Sequence, residues 1–191
     1  MKKIVLASAS PRRKELLERI GLKFDIEPSN HEEKVKPGLE PHEQAKSLSL
    51  EKAKLIAGNY RDALVIAADT FIVLDGEILG KPITEDEARR MLEKISGKQH
   101  SVITGFTIID TASGNMLSRS EETKVYIREL SSKEIDSYVR SKEPLDKAGA
   151  YAIQGLGSVI VKKIEGDYFN VIGLPLSAVT ESLKEFGVYI L

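Results

Sequence analysis

Residues 6–17, LASASPRRKELL, decide how the chain begins to fold. Residues 3–7 predict a short buried strand, and the small residues 8–10 predict a tight turn. Pro11 suits the first position of a helix, where a missing N–H costs nothing, and Ser10 before it is a favoured N-cap. The stretch therefore predicts a strand, a turn and a helix in direct succession.

The first turn of this helix carries the wrong charge. Arg12 and Arg13 stand where the positive end of the helix dipole favours acidic residues, and a capping box would have Glu or Gln in place of Arg13. Two arginines, a helix N-terminus and the hydroxyls of Ser8 and Ser10 fit together if an anion such as a phosphate group binds among them. The alternative is that both arginines point to solvent.

Composition excludes several classes of function. The formal net charge of −1 on 191 residues gives no overall basic field for nucleic acid or membranes, so an anion site must be local. The absence of cysteine excludes a thiolate nucleophile, a disulfide framework and a cysteine zinc site. No signal peptide is apparent, and no apolar run approaches the ~20 residues that span a bilayer. We expect a cytoplasmic protein.

Helix and strand patterns alternate along the whole chain, which predicts an α/β fold with a mixed central sheet. Residues 64–68, LVIAA, form an apolar run typical of a central strand. Further strands are predicted at 24–26, 71–74, 77–79, 100–110, 124–130, 158–164 and 168–172, and further helices at 41–58, 84–97, 131–138 and 176–186. Nothing indicates a linker, so we expect a single domain, 1–191.

Two later helices begin with ordinary signals. Thr84 with Glu87, and Ser131 with Glu134, have the spacing of a capping box. The helix after Thr84 has acids in its first turn, which is the ordinary arrangement, and the contrast favours a functional reason for the arginines of the first helix.

Asp69 is the first candidate for chemistry. It directly follows the apolar run, where a buried strand would emerge, and carboxylates at strand ends commonly bind metals or activate water. The alternative is a turn-forming aspartate. Glu32 and Glu33 lie in a polar loop, where such residues are usually solvated, but with Asp69 either of them would suit a hard divalent cation.

Three further residues carry weaker signals. Lys52 looks like an ordinary helix lysine, on the wetter side of its helix with Lys46 and Lys54. Lys81 is held between a glycine and a proline, where the backbone is tightly specified. Gln154 lies in a stretch rich in glycine and alanine, and its amide can read the edge of a base; the alternative is a turn residue. No GxGxxG or GKS/GKT phosphate loop is present.

Seven motifs, in the order in which they occur along the chain, resemble the Maf family over essentially its whole length. They are LASASPRRKELL, HEE at 31–33, AADT at 67–70, GKP at 80–82, ISGKQHSVITG at 95–105, EPLDKAGAYAIQG at 143–155 and GDYFNVIGLP at 166–175. Ala152 stands where the family usually has glycine.

The resemblance implies a nucleoside triphosphate pyrophosphatase with a fold like that of the inosine-triphosphate pyrophosphatases. Two lobes would flank a cleft, and the protein would be a homodimer. The near-neutral charge separately predicts that it binds neither nucleic acid nor a membrane. The DKAGAYAIQG form resembles the branch that hydrolyses dTTP and UTP, and modified pyrimidine nucleotides are further expected substrates. Nucleotide-pool cleansing and cell-division arrest are the implied cellular roles. The alternatives are a non-catalytic nucleotide-binding regulator of septum formation and another phosphate-ester hydrolase.

The resemblance also implies roles for individual residues. Asp69 matches the catalytic proton acceptor and a metal ligand. Three residues match the family's positions for choice of base: Arg12, Thr70 and Gln154. Four match its phosphate-binding positions: Ser8, Arg13, Lys52 and Lys81. Glu32 matches a metal-binding acid. The implied cofactor is a divalent cation, Mg²⁺ or Mn²⁺.

Overall fold

The computed structural model describes residues 2–29, 36 and 38–191. The strands among these residues are β1 Lys3–Leu6, β2 Asp25–Ile26, β3 Ala63–Leu74, β4 Glu77–Leu79, β5 Gln99–Asp110, β6 Met116–Ile127 and β7 Val161–Glu165. The α-helices are α1 Pro11–Arg19, α2 Pro41–Ala57, α3 Glu85–Ile95, α4 Ser132–Arg140, α5 Tyr168–Ile172 and α6 Leu176–Lys184. Short 3₁₀ helices span Glu143–Asp146, Ala148–Ala150 and Gly155–Val159.

The strands form one mixed sheet in the order β2-β1-β3-β5-β6-β7, with β4 paired to β3. β1 runs parallel to both β2 and β3, whereas β4 is antiparallel to β3 and β7 is antiparallel to β6. The predicted α/β fold with a mixed central sheet is confirmed. The arrangement of two lobes around a cleft stays a prediction. No helix in the described parts of the chain is long and apolar enough to cross a membrane.

The chain divides into two compact units. The first unit comprises the described residues of Met1–Asp69, Thr104–Glu121 and Gly173–Leu191, and the second comprises Thr70–Ile103 and Glu122–Ile172. One apolar cluster of the first unit joins β1, β3 and α2 through small side chains, among them Ala7, Ala53, Ala63 and Ala67. Small residues at such a contact allow a helix to lie close to a sheet.

Within the first unit, α2 packs on β5 so closely that the backbones of Ala45 and Gly105 are in contact. A Cβ added to Gly105 would lie 2.2 Å from the carbonyl carbon and oxygen of Ala45, so no side chain fits there. Further along the same helix, the buried hydroxyls of Ser49 and Thr107 are 2.8 Å apart and hydrogen-bonded. These contacts fix the position of α2.

The core of the second unit contains a buried histidine. His100 is 2% exposed, and its Nε2 hydrogen-bonds the hydroxyl of Tyr151 at 2.7 Å. The two rings meet edge to face with their centroids 5.3 Å apart. Burial lowers the pKa of His100 to about 4, so the ring is neutral at physiological pH. His100 is therefore a packing residue of this unit.

Several strand predictions are corrected by the structure. The strands predicted at 64–68 and 71–74 are one strand, β3, and the strand predicted at 124–130 overlaps only the end of β6, which begins at Met116 and ends at Ile127. Residues 168–172 form helix α5, because the Asp167 carboxylate accepts a hydrogen bond from the Phe169 N–H at 2.7 Å and so starts a helical turn. The strand predicted at 158–164 begins only at Val161, because the preceding residues Gly155–Val159 form a 3₁₀ helix. Aromatic and β-branched composition favoured strands in these last two places, and local hydrogen bonds decided otherwise.

The predicted helix caps are confirmed in one case and half formed in the other. At α4, Ser131 and Glu134 make both hydrogen bonds of the capping box. At α3, the Thr84 side chain accepts from the Glu87 N–H, but the Glu87 carboxylate accepts from the N–H of Ile83. The acidic side chain at α3 therefore reaches one residue further back than a capping box requires.

Candidate active site

Strand periodicity brings Asp69 to the face of β3 that packs on α2. Side chains at alternate positions of a strand share a face, so Asp69 lies on the same side as Val65 and Ala67. These two residues belong to the apolar cluster that includes Ala53 of α2. Asp69 is only 4% exposed, so its carboxylate extends this cluster with a buried polar group.

Asp69 does not follow a strand, as the sequence suggested, but lies inside the twelve-residue strand β3. The strand that ends beside it is β1, whose last paired residue, Leu6, faces Ile66. Asp69 is three residues beyond that pair, where β3 no longer has β1 as its neighbour. The position is therefore at the end of an adjacent parallel strand, which is where α/β sheets commonly carry their ligands.

Lys52 of α2 meets Asp69 in a buried ion pair. The Lys52 ammonium donates to Asp69 Oδ1, and the two side chains are 8% and 6% exposed. The prediction that Lys52 lies on the wetter side of its helix is wrong. It follows Leu48 by four residues and precedes Ile56 by four, and both are buried, so all three share one face. Each charge offsets the cost of burying the other.

Ser8 and Arg13 form a second polar group, where the turn after β1 meets α1. Ser8 Oγ accepts from the N–H of Ser10 and from Nη1 of Arg13, each at 3.2 Å. Arg13 Nε donates to the carbonyl of Gly173 at 2.8 Å. The alternative in which both arginines simply point to solvent is wrong for Arg13, whose guanidinium is held on two sides by the protein.

The N-terminus of α1 lacks the cap that its sequence suggested. Ser10 occupies the N-cap position, but its side chain makes no cap hydrogen bond to the described residues. Arg12 is half-buried, and no described residue forms a hydrogen bond or ion pair with its side chain. The first turn therefore presents a cation and N–H groups that the helix's own side chains do not satisfy.

The second unit contains Thr70, Lys81 and Gln154. Thr70 is half-buried and continues β3 directly after Asp69. Lys81 is exposed in the turn after β4, without an ion-pair partner among the described residues. The carbonyl of Gly80 accepts from the N–H of Gly149 at 2.9 Å, so this turn contacts the segment that leads to Gln154.

Gln154 lies between two 3₁₀ helices in extended backbone, with φ −103° and ψ 165°. Its side chain is half-buried and forms no hydrogen bond to the part of the chain that the structure describes. A polar amide that needs no internal partner is available for a ligand.

A pair that sequence reasoning missed borders Gln154. The Glu143 carboxylate accepts hydrogen bonds from the Tyr138 hydroxyl and from the N–H groups of Leu156 and Gly157. Glu143 stood in the quoted motif at 143–155, but no periodic spacing relates it to its partners. Its position directly before a proline, in a stretch rich in glycine, was the signal available.

The described carboxylates suit a metal ion that is held largely by its substrate. In the described ranges, no three or more histidine, cysteine, aspartate or glutamate side chains are grouped so that they could hold a metal ion, and Glu32 and Glu33 lie outside these ranges. Asp69 supplies one carboxylate. Mg²⁺ is commonly bound by one or two carboxylates together with phosphate oxygens and water, so the oxygen chemistry of Asp69 fits such an ion.

Residues 3–186 match the sequence pattern of the Maf family, which is described as "Maf-like protein". The chain belongs to the Maf family. The predicted membership is thereby confirmed, and the matched range includes residues of both units of this Maf protein.

Curated relatives of this Maf protein are similar over nearly their whole length. A protein of Caldicellulosiruptor saccharolyticus is 49% identical, with 98% of this chain and 96% of the relative covered. One of Methanosarcina barkeri is 48% identical, with 100% and 97% covered. Both are named dTTP/UTP pyrophosphatase, which agrees with the predicted branch. Among solved structures, the Ham1 protein of Staphylococcus aureus is similar with a TM-score of 0.49 and 13% identity, over 84% of this chain and 80% of that one.

Proposed function

We propose that this Maf protein hydrolyses dTTP and UTP between the α- and β-phosphates, releasing the nucleoside monophosphate and pyrophosphate. The buried ion pair of Lys52 and Asp69 carries the proposal. A buried carboxylate that accepts a hydrogen bond from a cation is held in a fixed orientation, which suits an acceptor for a proton of water. The names of relatives that are nearly half identical along the whole chain supply the substrate class.

The proposed reaction is an attack of water on the α-phosphorus. Asp69 accepts a hydrogen bond from the water and takes its proton as the new phosphorus–oxygen bond forms. The bond from the α-phosphorus to the bridging oxygen breaks, and pyrophosphate leaves with that oxygen. Lys52 offsets the negative charge of Asp69 and orients its carboxylate through the hydrogen bond to Oδ1. General-base help of this kind contributes about 10²–10⁴-fold to a rate.

Cationic side chains would hold the triphosphate and stabilise the charge that develops on pyrophosphate. Arg13 is suited to this, because its contacts with Ser8 and Gly173 orient the guanidinium before a ligand arrives. Arg12 lies in the same helical turn and Lys81 in the second unit, and both are proposed as phosphate contacts. A preorganised cation needs little rearrangement during the reaction.

Choice of base is assigned to Arg12, Thr70 and Gln154. Uracil and thymine present a carbonyl oxygen where cytosine presents an amino group. The Gln154 amide both donates and accepts hydrogen bonds, so it matches the carbonyl and the adjacent N–H of uracil and thymine.

We further propose that a divalent cation, Mg²⁺ or Mn²⁺, is held by Asp69 and by Glu32 or Glu33. When bound it would neutralise phosphate charge and polarise the reacting phosphate. The family resemblance further predicts modified pyrimidine nucleotides as substrates, a homodimer, and roles in pool cleansing or cell-division arrest. The cytoplasmic location stays a prediction from the sequence.

One assay tests the proposed function. The protein is incubated with dTTP, UTP, CTP and 7-methyl-GTP in the presence of Mg²⁺, and the products are identified by chromatography. We expect pyrophosphate with dTMP or UMP and loss of turnover with EDTA. In Asp69→Asn we expect a loss of about 10²–10⁴-fold in turnover by a protein that is still folded, with a lowered melting temperature because Lys52 loses its buried counter-charge. Inorganic phosphate alone would indicate a phosphatase, and binding without turnover would indicate the nucleotide-binding regulator.

A further inference from the structure

The backbone on both sides of Gln154 is attached to one pair of side chains. Tyr138 of α4 accepts a hydrogen bond from the N–H of Ala152 at 3.3 Å and donates to Glu143 Oε1 at 2.8 Å. Glu143 accepts from the N–H of Leu156 at 3.0 Å and from that of Gly157 at 2.9 Å. The pair therefore fixes the chain two residues before Gln154 and two to three residues after it.

The glycines after Gln154 make room for this pair. A Cβ added to Gly155 would lie 2.6 Å from Glu143 Oε2, and one added to Gly157 would lie 2.5 Å from the Tyr138 hydroxyl. Gly155 also has φ +69°, which disfavours any residue with a side chain. The carboxylate and the phenol thus lie directly against the backbone of the segment, where neither they nor the segment can shift without breaking hydrogen bonds.

Glu143 is ionised in this setting. Burial raises the pKa of its carboxyl, but the hydrogen bonds from Gly157, Tyr138 and Leu156 outweigh burial and hold the pKa below its ordinary value. An ionised carboxylate accepts hydrogen bonds only, and two of its three donors here are backbone N–H groups. A glutamine at this position would turn its own N–H₂ group toward at least one of these donors.

We propose that Glu143 and Tyr138 are a positioning pair for base recognition, which holds residues 152–157 so that Gln154 meets uracil or thymine and rejects cytosine. The inference rests on the proposed function, because it takes Gln154 as the reader of the base. An amide presents a donor and an acceptor that exchange places on rotation, so Gln154 by itself matches either pyrimidine. To discriminate uracil and thymine from cytosine, the backbone of Gln154 must be fixed where its amide can pair with the edge of only one kind of base.

Glu143→Gln and Tyr138→Phe test the pair, and the second unit contains a matched control. Tyr126 donates to Glu165 at 3.0 Å, which is another tyrosine–glutamate pair, on β6 and β7. Tyr126→Phe and Glu165→Gln thus make the same chemical changes without touching residues 152–157. The nucleotides are the non-hydrolysable α,β-methylene analogues of UTP and CTP with Mg²⁺, and the dissociation constants are measured by calorimetry.

The decisive quantity is the ratio of the two dissociation constants, which a partly unfolded sample does not alter. We expect Glu143→Gln to lower the preference for the UTP analogue about 10-fold and Tyr138→Phe about 3-fold, since one misplaced hydrogen bond is worth about this much. Amide hydrogen exchange at Leu156 and Gly157 is expected to rise with Glu143→Gln. Both control variants are expected to keep the wild-type ratio and exchange.

An unchanged ratio in Glu143→Gln would overturn the inference, even if both analogues bind more weakly. If the proposed function itself is wrong, the experiment gives a different result from the one that overturns this inference. Wild-type protein would then bind neither analogue, or release no pyrophosphate from UTP, and the base-reading role of Gln154 would fall with it.

Discussion

The first turns of α1 and α4 differ in whether side chains cap their N–H groups. At α4, Ser131 accepts from the Glu134 N–H, and Glu134 accepts from the Ser131 N–H at 2.9 Å. The hydrogen bond from Arg128 and those from Ser131 lower the pKa of Glu134 to about 2, so this acid is ionised at the positive end of the helix dipole. At α1, Ser10 makes no such cap with the described residues, and two arginines follow it.

The difference separates a helix start that stabilises the fold from one that is available for binding. At α4 the two hydrogen bonds of the capping box are made by the helix's own side chains. At α1 the arginine that is oriented is oriented by Ser8 and Gly173, which lie outside the helix. Local departures from ordinary sequence rules tend to occur at functional sites, and this supports the proposal that the start of α1 binds phosphate. Three substitutions test this comparison.

Arg13→Lys is expected to have the largest effect. Lysine keeps the charge but cannot donate to Ser8, Gly173 and a phosphate with one fixed planar group. We expect kcat/KM for UTP to fall about 10²-fold, with the melting temperature nearly unchanged. Arg19→Lys is the matched control, since Arg19 is in the last turn of the same helix and pairs with Glu15. Wild-type kinetics in Arg13→Lys would show that α1 does not bind the substrate.

Ser131→Ala is expected to act on stability alone. Loss of an N-cap hydrogen bond costs about 1 kcal/mol in free energy of unfolding, measurable by urea denaturation. We expect kcat/KM to stay within the error of the wild-type value. Ser137→Ala, at an exposed position of α4 without a hydrogen-bond partner in the described parts of the chain, is the control for the change of residue type. A fall in kcat/KM would contradict the assignment of this cap to folding.

Ser10→Ala is expected to have the smallest effect on stability. Because the Ser10 hydroxyl does not cap α1, its removal should change the free energy of unfolding by less than about 0.5 kcal/mol. The same urea experiment measures it beside Ser131→Ala. A loss as large as that of Ser131→Ala would mean that α1 is capped in solution after all, and the comparison would then fail.

Sequence rules predicted best where periodicity or a local cap decides the structure. The start of α1 at Pro11, the start of α2 at Pro41 and the capping box at Ser131 were all correct. Helix α5 is the failure, because its apolar composition suits either state and one hydrogen bond, donated by the Phe169 N–H to the Asp167 side chain, decides between them.

The candidate site was harder to predict, because its contacts join distant parts of the chain. The pairing of Lys52 with Asp69 depends on how α2 is seated on β3, and lysine alone gave no sign of burial, although its spacing from Leu48 and Ile56 did. The partners of Glu143 lie in irregular backbone, where no repeat marks which residues meet. Gln154, by contrast, was named from the sequence by motif and by the chemistry of its amide.

The close packing of α2 on Gly105 has a consequence for genetics. Any side chain at position 105 would push on the carbonyl of Ala45, and α2 carries Lys52 about 10 Å further along the same rigid rod. Such a mutant would lose turnover although residue 105 touches neither Lys52 nor a proposed phosphate contact. A screen for inactive alleles should therefore recover substitutions at this glycine whose effect is steric. A change of the side chain at residue 45 should not suppress them, because the contact is with the backbone of Ala45.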